Sequence, residues 1–290
     1  NKQTNMSSNS ESGYSSDESI SQVSSNILIK NDEKRFSKRF SVEDELIKSA
    51  NGILYTGFDL KTGNRVVIKQ IPRGVVSEFE IVGGRLTPSE VYFHQEAFKV
   101  SKTVVEPLGW FEKRSSFVLV MEMPEDSMDL FEFTKRFGEI NEEAAKVIWG
   151  QIVKCAFDLH SAGIDHRDIK DENILVNPYT LEVKLIDFGC ATRVKEEYTS
   201  ARGTQEFWPS EWFLTHSYRP EGATIWSLGA VLYIMLCGEW NFENGKHFRN
   251  FRKEIKLSKD VRNLIESMFC PDPSKRATFQ KISRSKWFSA

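Results

Sequence analysis

Short runs in which apolar residues alternate with polar ones fill the first part of the chain, and they predict β-strands. The runs are rich in Val, Ile, Leu and aromatic residues, the types that pleated sheets favour. They cover residues 45–58, 65–71, 104–111 and 117–122. Between the second and third run, residues 88–100 predict one helix, with Pro88 in its first turn. This part of the chain should therefore form a small domain that is mostly β.

The pattern changes after residue 140, where apolar residues recur at three- and four-residue spacing, as on one face of a helix. Such segments cover residues 142–162, 225–237 and 260–269. The second part of the chain should therefore be mostly helical. Together the two patterns predict an α+β protein with two lobes and a cleft between them.

Composition narrows the class of protein. The 290 residues are 40% hydrophobic and 28% charged, as in ordinary globular domains, and the formal net charge is −2. This balance gives no general attraction to nucleic acid or to anionic membranes. The cysteines lie far apart in the sequence without a CxxC pair, which disfavours a disulfide framework or a zinc site; they are Cys155, Cys190, Cys237 and Cys270. We expect a cytoplasmic protein, also compatible with the nucleus, that is not secreted and has no transmembrane segment.

The beginning of the chain has a different composition. Residues 1–35 are rich in serine, asparagine and acidic residues and contain few apolar side chains. Such a segment buries too little surface to offset the entropy lost on ordering. The sequence therefore predicts a disordered tail over residues 1–35, followed by a folded domain over residues 36–290.

Two acidic motifs carry the chemistry. The letters HRDIKDEN occupy residues 166–173, and DFG follows at residues 187–189. This spacing is typical of phosphoryl transfer, in which Asp168 orients the attacking hydroxyl and Lys170 lies beside the transferred phosphate. Asn173 and Asp187 offer hard oxygen ligands, which suit Mg²⁺. A lysine at position 170 favours serine and threonine acceptors over tyrosine.

Further motifs occur in the order that protein kinases use. Arg65 to Lys69 (RVVIK) fits the strand whose lysine holds the ATP phosphates, and Glu90 on the predicted helix is the candidate partner of Lys69. The segment from Gly203-Thr204 to Glu211 fits the end of an activation segment, where Glu211 would pair with Arg276.

The chain resembles a eukaryotic serine/threonine protein kinase, and most closely the Pim family, over residues 40–288. Four features carry the resemblance beyond the general kinase pattern. They are Pro124 in the hinge, the long connection over residues 71–88 with Gly83-Gly84 at its tip, the wording HRDIKDENIL with KLIDFG, and Thr224 where most kinases carry aspartate. Because proline has no N–H, the usual second hinge hydrogen bond to adenine cannot form.

The resemblance implies a bilobal protein-kinase fold, with an N-lobe over residues 40–122, a hinge over 122–129 and a C-lobe over 130–288. It implies that ATP and Mg²⁺ are used, and that the substrates are proteins with basic residues upstream of the serine or threonine. The implied ATP-binding residues are Leu46, Ile47, Ser49, Gly52, Leu54, Val67, Lys69, Glu90, Met121, Glu122 and Asp129. The implied substrate-binding residues are Asp129, Glu132, Glu172 and Thr204. We expect a monomer that binds neither nucleic acid nor membranes.

One part of the kinase pattern is degraded. Ile47, Ser49 and Gly52 stand where a glycine-rich loop has three glycines, so only the third glycine is kept. Glycines let backbone N–H groups approach phosphates closely, and we expect their loss to stiffen the loop and weaken its grip. A pseudokinase that serves as a scaffold or binding module is therefore the alternative to an active enzyme. A small-molecule or lipid kinase is disfavoured by the segment over residues 203–211.

Two other questions stay open from the sequence. His94 lies one turn after Glu90, where an apolar residue is usual, and a hydrogen-bonded core histidine is the favoured interpretation. Arg167 could pair with a phosphate on the activation segment or with an unmodified acid. The candidate phosphate carriers are Tyr198, Thr199 and Ser200, and the candidate acids are Glu196, Glu197 and Glu206.

Overall fold

The computed structural model describes residues 28–238 and 256–289, and the chain divides into two compact units. The first unit holds the described residues up to 76 together with 109–120, and the second holds 77–108 and the described residues from 121 onward. The predicted lobes placed residues 77–108 with the small β domain. They belong to the second unit because their side chains make ion pairs and ring contacts there, as shown below.

The strands of the described residues are given in chain order. They are β1 Phe40–Ser49, β2 Gly52–Asp59, β3 Arg65–Pro72, β4 Phe79–Val82, β5 Arg85–Pro88, β6 Pro107–Glu112, β7 Ser116–Glu122, β8 Met128–Asp129, β9 Ile164–Asp165, β10 Ile174–Val176, β11 Val183–Leu185 and β12 Thr192–Arg193. The helices are α1 over residues 28–39, α2 Ser89–Val100, α3 Leu130–Phe137, α4 Glu142–Ser161, α5 Trp212–Thr215, α6 Pro220–Cys237, α7 Lys259–Met268, α8 Phe279–Ser283 and α9 Lys286–Ser289. Single 3₁₀ turns cover Arg73–Val75, Asp171–Asn173 and Gln205–Phe207.

The first unit is built on a five-stranded sheet in the order β1-β2-β3-β7-β6. One predicted strand, over residues 45–58, is in fact two strands joined by a tight turn. Ser49 pairs with Gly52 across this turn, so Ala50 and Asn51 form its tip. The other predicted strands and helices agree with the structure to within a few residues, and α2 begins one residue later than expected because Pro88 is its N-cap.

Helix α1 packs on the first unit and overlaps the predicted tail. Residues 1–27 lie outside the described part, whereas residues 28–35 are helical. Phe36 is buried and its ring contacts those of Phe40 and Phe111, at centroid distances of 6.0 and 5.4 Å. Asp32 is buried as well and accepts a hydrogen bond from the Glu112 N–H at 3.0 Å. The folded domain therefore includes this helix.

A β-hairpin precedes α2 in the second unit, and it confirms the predicted turn at Gly83-Gly84. Strands β4 and β5 pair from Phe79 opposite Pro88 to Val82 opposite Arg85. Both glycines have positive φ angles, 56° and 79°, as the two central positions of a type I′ turn require. The long connection over residues 71–88 is thus an ordered hairpin.

The core of the second unit is centred on α6, whose side chains are buried on nearly every face. The Trp149 indole of α4 donates to the carbonyl of Leu228 at 2.9 Å and joins the two longest helices of the described residues. By length and composition α6 could cross a membrane, yet 78% of it is buried inside the protein. It is therefore a core helix of the helical domain that the sequence predicted.

A buried ion pair fixes Glu211, the last residue of the segment over residues 187–211. Arg276 donates to both carboxylate oxygens of Glu211, at 2.8 and 2.6 Å, and these side chains are 1% and 9% exposed. Arg276 also donates to the carbonyls of Gly222 and Cys270. This geometry confirms the pair expected from the sequence, and with every bond made it should be costly to break.

Replacing only one partner of this pair should destabilise the protein strongly. Arg276→Met leaves the Glu211 carboxylate buried without its cation, and we expect a loss of about 3–5 kcal/mol in the free energy of unfolding, measured by urea titration. Arg276→Met combined with Glu211→Gln should recover part of that loss, because no unpaired charge remains. The exposed neighbour Lys275 pairs with Asp272, and Lys275→Met should change stability little. Equal effects of the two single variants would contradict this account.

Candidate active site

The candidate base Asp168 is held by two hydrogen-bond donors. Its Oδ1 accepts the backbone N–H of Thr204 at 2.8 Å, and its Oδ2 accepts the Asn173 side-chain amide at 3.1 Å. The same amide donates to the Asp168 carbonyl at 2.8 Å. The 3₁₀ turn Asp171–Asn173 brings Asn173 back to Asp168, while Thr204 arrives from a distant part of the chain. The carboxylate orientation is therefore fixed from two sides.

Lys170 is cationic and already paired. Its ammonium group forms an ion pair with Glu172, and its side chain is only 16% exposed. Burial alone would lower the lysine pKa, but the hydrogen bond to Glu172 and the nearby charge of Asp168 outweigh it, so the pKa is raised. Glu172 was expected to face substrate; in this structure its carboxylate faces Lys170.

Asp187, the first residue of the second acidic motif, has a strained backbone conformation. Asp187 adopts φ 62°, the left-handed region, and its Oδ1 accepts the Gly189 N–H at 3.1 Å. A Cβ at position 189 would lie 3.1 Å from this Oδ1 and 3.6 Å from Oε2 of Glu90. The glycine therefore lets the Asp187 and Glu90 carboxylates approach the same short stretch of backbone.

Phe188 lies between two histidines. Its ring is stacked on His94 at 5.1 Å and meets His166 edge-on at 4.8 Å. His94 is buried and its Nε2 lies 2.7 Å from the carbonyl of Val105, which confirms the interpretation as a hydrogen-bonded core histidine. The three rings connect α2 to both motifs.

The protonation of His166 follows from its bonds. Its Nδ1 accepts the Asp168 N–H at 3.3 Å, so Nε2 carries the proton and donates to the carbonyl of Ile186 at 3.0 Å. Burial lowers the pKa of the imidazole, which favours this neutral form. His166 is therefore a structural link between the catalytic loop (residues 166–173) and Ile186, the residue before Asp187.

Arg167 is bound by two residues of the activation segment and by Tyr218, which the sequence did not single out. Its guanidinium donates to the Tyr218 hydroxyl at 2.7 Å and to the Ser200 carbonyl, and it lies 4.1 Å from the centre of the Tyr198 ring. Glu197, one of the expected counter-charges, instead accepts the Ser217 hydroxyl at 3.0 Å. Tyr218 gave no signal in the sequence because it lies outside every motif.

A buried carboxyl group lies behind the catalytic loop. Asp165 ends β9 and is fully buried, and the Thr224 hydroxyl donates to its Oδ1 at 3.3 Å. Burial raises the pKa of Asp165, although the charge of Arg167 and the hydroxyls of Thr224 and Tyr198 oppose the shift. Thr224, the unusual residue on α6, thus contacts a carboxyl group that comes from the strand before the catalytic loop.

Comparison with known proteins decides the family of this site. A family profile described as protein kinase domain matches residues 40–288. The chain belongs to the protein kinase family. The serine/threonine-protein kinase pim-2 of Danio rerio is 35% identical over 272 residues, which cover 89% of this chain and 87% of the relative. The serine/threonine-protein kinase prk-2 of Caenorhabditis elegans is 32% identical over 260 residues, covering 87% of this chain and 59% of that relative. The chain is thus a serine/threonine kinase that resembles the Pim group.

The predicted hinge is held in place by the bonds of Glu122. Its backbone N–H donates to the carbonyl of Glu106 at 2.9 Å, and its Oε1 accepts from the Glu106 N–H at 2.8 Å and from Lys184 at 2.9 Å. The preceding Met121 is buried. These bonds use the Glu122 N–H and one of its carboxylate oxygens.

Two acidic residues after the hinge have different roles. Asp129 is the N-cap of α3, and its Oδ1 accepts the Glu132 N–H at 2.8 Å. The Glu132 carboxylate is exposed and pairs with Lys135 at 3.3 Å. Asp129 therefore stabilises the helix whether or not it contacts a ligand, a role that the sequence analysis missed although aspartate before a helix is a recognised signal.

The remaining predicted nucleotide-binding residues lie in the first unit, and the structure brings them together around one β-hairpin. Leu54 on β2 stands opposite Lys69 on β3, and Val67 lies two residues before that lysine. In the degraded loop, the Ser49 hydroxyl accepts the Asn51 N–H and donates to the carbonyl of Gly52, at 3.3 and 3.2 Å. The side chains of Leu46 and Ile47 on β1 are exposed.

The shift at Asp165 predicts a distinctive pH dependence of stability. An acid whose pKa is raised by folding holds its proton more tightly in the folded state, so its contribution is full at low pH and is lost as pH rises. Asp165→Asn does not titrate, and its free energy of unfolding relative to the wild type should improve as pH rises from 4 through 8, by chemical denaturation.

Asp272 provides a control of opposite sign. Hydrogen bonds from Ser274 and Lys275 lower its pKa to about 2, so its contribution is present at neutral pH and is lost on acidification. Asp272→Asn should therefore lose stability relative to the wild type as pH rises. Parallel pH profiles for the two variants would show that Asp165 does not have a raised pKa.

Proposed function

We propose that this kinase transfers the γ-phosphoryl group of ATP to serine or threonine in proteins that carry basic residues upstream. The observation that carries the proposal is the fixed orientation of Asp168 between the Thr204 N–H and the Asn173 amide. A carboxylate held in this way can receive the proton of an acceptor hydroxyl without reorganising.

The polar groups of the site fit ATP and Mg²⁺. The Asn173 amide nitrogen is used by Asp168, so its oxygen is the atom suited to a cation, and the Asp187 carboxylate is the second proposed ligand. When bound, Mg²⁺ would neutralise charge on the phosphate oxygens. Within residues 28–238 and 256–289, no group of three or more His, Cys, Asp or Glu side chains is arranged so that it could hold a metal ion. Magnesium needs fewer, because it keeps several waters and phosphate oxygens as ligands.

Each residue then has a defined task. Asp168 orients the acceptor hydroxyl and takes its proton, and Lys170 places a fixed positive charge where the transferred group gains negative charge. Lys69 is proposed to hold the α- and β-phosphates and Glu90 to orient Lys69. The Glu122 carbonyl and the side chains of Met121, Leu54 and Val67 are proposed to hold the adenine. Leu46, Ile47, Ser49 and Gly52 would cover the nucleotide, and Asp129 would approach its ribose.

The alternative is a kinase fold that binds partners without catalysis, and the hairpin β1–β2 favours it. Because the Ser49 hydroxyl closes the turn, the loop tip has less freedom to adapt to phosphates than a glycine-rich loop. Against this stands the complete set of polar residues for the reaction, with Asp168 and Asn173 already hydrogen-bonded. Positioning and charge carry most phosphoryl-transfer catalysis, so we favour the active enzyme.

We propose that the kinase acts inside the cell and as a monomer. Its free cysteines support the intracellular site. All four cysteines are free, and each is buried or half-buried. Burial raises the pKa of Cys155 to about 11 and also raises that of Cys190, which follows Gly189. These thiols stay protonated at neutral pH and are therefore poor nucleophiles.

Removing the carboxylate charge of Asp168 should abolish catalysis. With ATP and Mg²⁺ the wild type should phosphorylate a peptide with arginine upstream of serine, and Asp168→Asn should reduce kcat at least about 10³-fold, in a radiometric assay. Asn can still accept the Thr204 N–H, so the folded state and its thermal midpoint should change little.

A nucleotide titration separates the enzyme from the scaffold. The thermal midpoint of wild type and of Asp168→Asn should rise with ATP and Mg²⁺, because a ligand that binds only the folded state stabilises it. If neither protein responded to nucleotide and both gave the same background of phosphate transfer, the scaffold hypothesis would replace this proposal.

Selection of basic substrates is proposed to depend on acidic groups near α3 and the catalytic loop. Glu132 is more than half exposed, and Glu172 is exposed beside Lys170. Exposed carboxylates attract arginine and lysine side chains and set specificity more than affinity. Asp129 and Thr204 complete the proposed substrate-binding set. Asp129→Asn removes a charge but keeps a good N-cap, so it tests charge without loss of the helix.

Neutralising these carboxylates should relax the preference for basic residues. For Asp129→Asn with Glu132→Gln, the ratio of kcat/KM between peptides with upstream arginine and upstream alanine should fall about 3- to 10-fold. Glu143→Gln on the first turn of α4 removes an exposed charge outside this set and should leave the ratio unchanged. An unchanged ratio in the double variant would refute the assignment.

A further inference from the structure

Two glutamates at the start of the β4–β5 hairpin contact the activation segment, defined here as residues 187–211. Glu78 accepts hydrogen bonds from both terminal nitrogens of Arg202, with Nη1 at 3.0 Å. Glu80 accepts from Nη2 of Arg193 at 3.1 Å. The partners are 124 and 113 residues apart in sequence, and all four belong to the second unit. The hairpin and the activation segment are thus joined by two ion pairs.

Glu78 is the counter-charge of a basic cluster. The hydrogen bond with Arg202 lowers the pKa of Glu78, burial opposes this, and the charges of Arg202, Arg167 and Lys195 lower it further. The carboxylate is therefore ionised at neutral pH, with Arg202 as its bonded partner. Activation segments that are ordered by phosphorylation gather arginines around a phosphate. Here a carboxylate of the same chain is the bonded partner of Arg202.

The position of Arg202 affects the Asp168 carboxylate through the backbone of Gly203 and Thr204. The carbonyl of Arg202 accepts the Trp208 indole N–H at 2.8 Å, so its main chain is fixed as well as its side chain. Gly203 follows with φ 79°, and a Cβ there would overlap the carbonyl oxygen of Arg167 and lie 2.8 Å from Oδ1 of Asp168. The next residue is Thr204, whose N–H holds that same Oδ1 at 2.8 Å. A shift of Arg202 would therefore move the donor that orients Asp168.

The hairpin is a firm anchor for these ion pairs. The Glu78 carbonyl accepts the N–H of Ser89 at 3.0 Å, so the residue is tied to the start of α2. Arg193 is held in addition by the Tyr92 hydroxyl of α2 at 3.1 Å, and it lies 5.3 Å from the centre of that ring. The carboxylates are thus attached to a paired hairpin and a helix, and not to a loose surface loop.

We propose that Glu78 is a positioning residue for phosphoryl transfer, because its ion pair with Arg202 holds the activation segment so that Thr204 keeps Asp168 oriented. The hairpin then does, without modification, what a phosphate on the activation segment does in kinases that require one. The inference rests on the proposed function for its kinetic consequence, whereas its structural consequence can be measured independently.

A double-mutant cycle tests the pair by kinetics. Glu78→Gln and Arg202→Gln should each lower kcat for the peptide about 3- to 10-fold, while KM for ATP stays unchanged. The combined variant should be no slower than either single variant, because both remove the same interaction. The charge-swapped protein, Glu78→Arg with Arg202→Glu, should recover part of the lost rate. Additive losses, or rates equal to the wild type in all variants, would overturn the proposal.

Hydrogen exchange tests the same pair without any catalysis. In Glu78→Gln, amides of residues 200–208 should exchange faster, including the Thr204 N–H that Asp168 accepts, while those of α6 should stay protected as evidence of an intact fold. Glu96→Gln is the matched control, because Glu96 pairs with Lys99 on the exposed side of α2 and is not bonded to the activation segment. It should change neither exchange nor kcat.

The two readouts separate the possible failures. If the wild type transfers no phosphate but Glu78→Gln still accelerates exchange over residues 200–208, the proposed function fails and the positioning contact stands. If the wild type is active and Glu78→Gln changes neither kcat nor exchange, the contact is an ordinary surface ion pair and the inference is wrong.

Discussion

The hydrogen bond from the Thr204 N–H to Oδ1 of Asp168 is the contact on which the rest of the catalytic apparatus depends. It joins the activation segment to the catalytic loop at the carboxylate that we propose as the proton acceptor. A backbone amide cannot be aimed by its own rotamer, so its direction is set by the chain on either side. Arg202 fixes the chain just before it through Glu78, and the buried pair of Glu211 with Arg276 fixes the end of the segment. The orientation of the Asp168 carboxylate is therefore maintained by two ion pairs, of which one is buried and the other is partly exposed. The buried pair resists salt, whereas the Glu78 pair is partly exposed and is open to screening.

Two buried histidines and a buried carboxyl group around the catalytic loop are hydrogen-bonded. His94 and His166 enclose Phe188, yet both imidazoles bond to backbone carbonyls, so neither leaves a donor buried without a partner. Asp165 and Thr224 form a second buried pair, with the carboxyl group on β9 and the hydroxyl on α6. A buried acid is tolerated there because Arg167 and the two hydroxyls around it offset part of the desolvation cost. The same Arg167 contacts Tyr218 and Ser200 of the segment that precedes α6. The Arg167 guanidinium group therefore couples the buried Asp165 to the order of the activation segment.

Local patterns in the sequence predicted most elements, because each carries its own periodicity or turn signal. The merged strand over residues 45–58 is an instructive miss: the turn at Ala50-Asn51 lacks a glycine or proline at its centre and is closed by the Ser49 side chain. Helix α1 was hidden because its few apolar residues follow a long polar stretch. The motif residues were found because their spacing is fixed by chemistry. Partners such as Glu78 for Arg202 could not be found, since two charged residues 124 positions apart look like any exposed pair until the fold brings them together.

The degraded loop and the intact catalytic loop can be separated physically. Both donors described for the Asp168 carboxylate, Thr204 and Asn173, lie in the second unit, whereas Ile47 and Ser49 lie in the first. Replacing loop glycines therefore changes how backbone N–H groups can reach phosphates without altering any hydrogen bond that orients the base. The Ser49 hydroxyl also stabilises the turn, because it bonds to the carbonyl of Gly52 and to the N–H of Asn51. A stiff loop costs nucleotide affinity when its conformation is a poor match and saves ordering entropy when the match is good. The loop therefore acts on nucleotide affinity, whereas the hydrogen bonds of Asp168 act on the transfer step proposed for it.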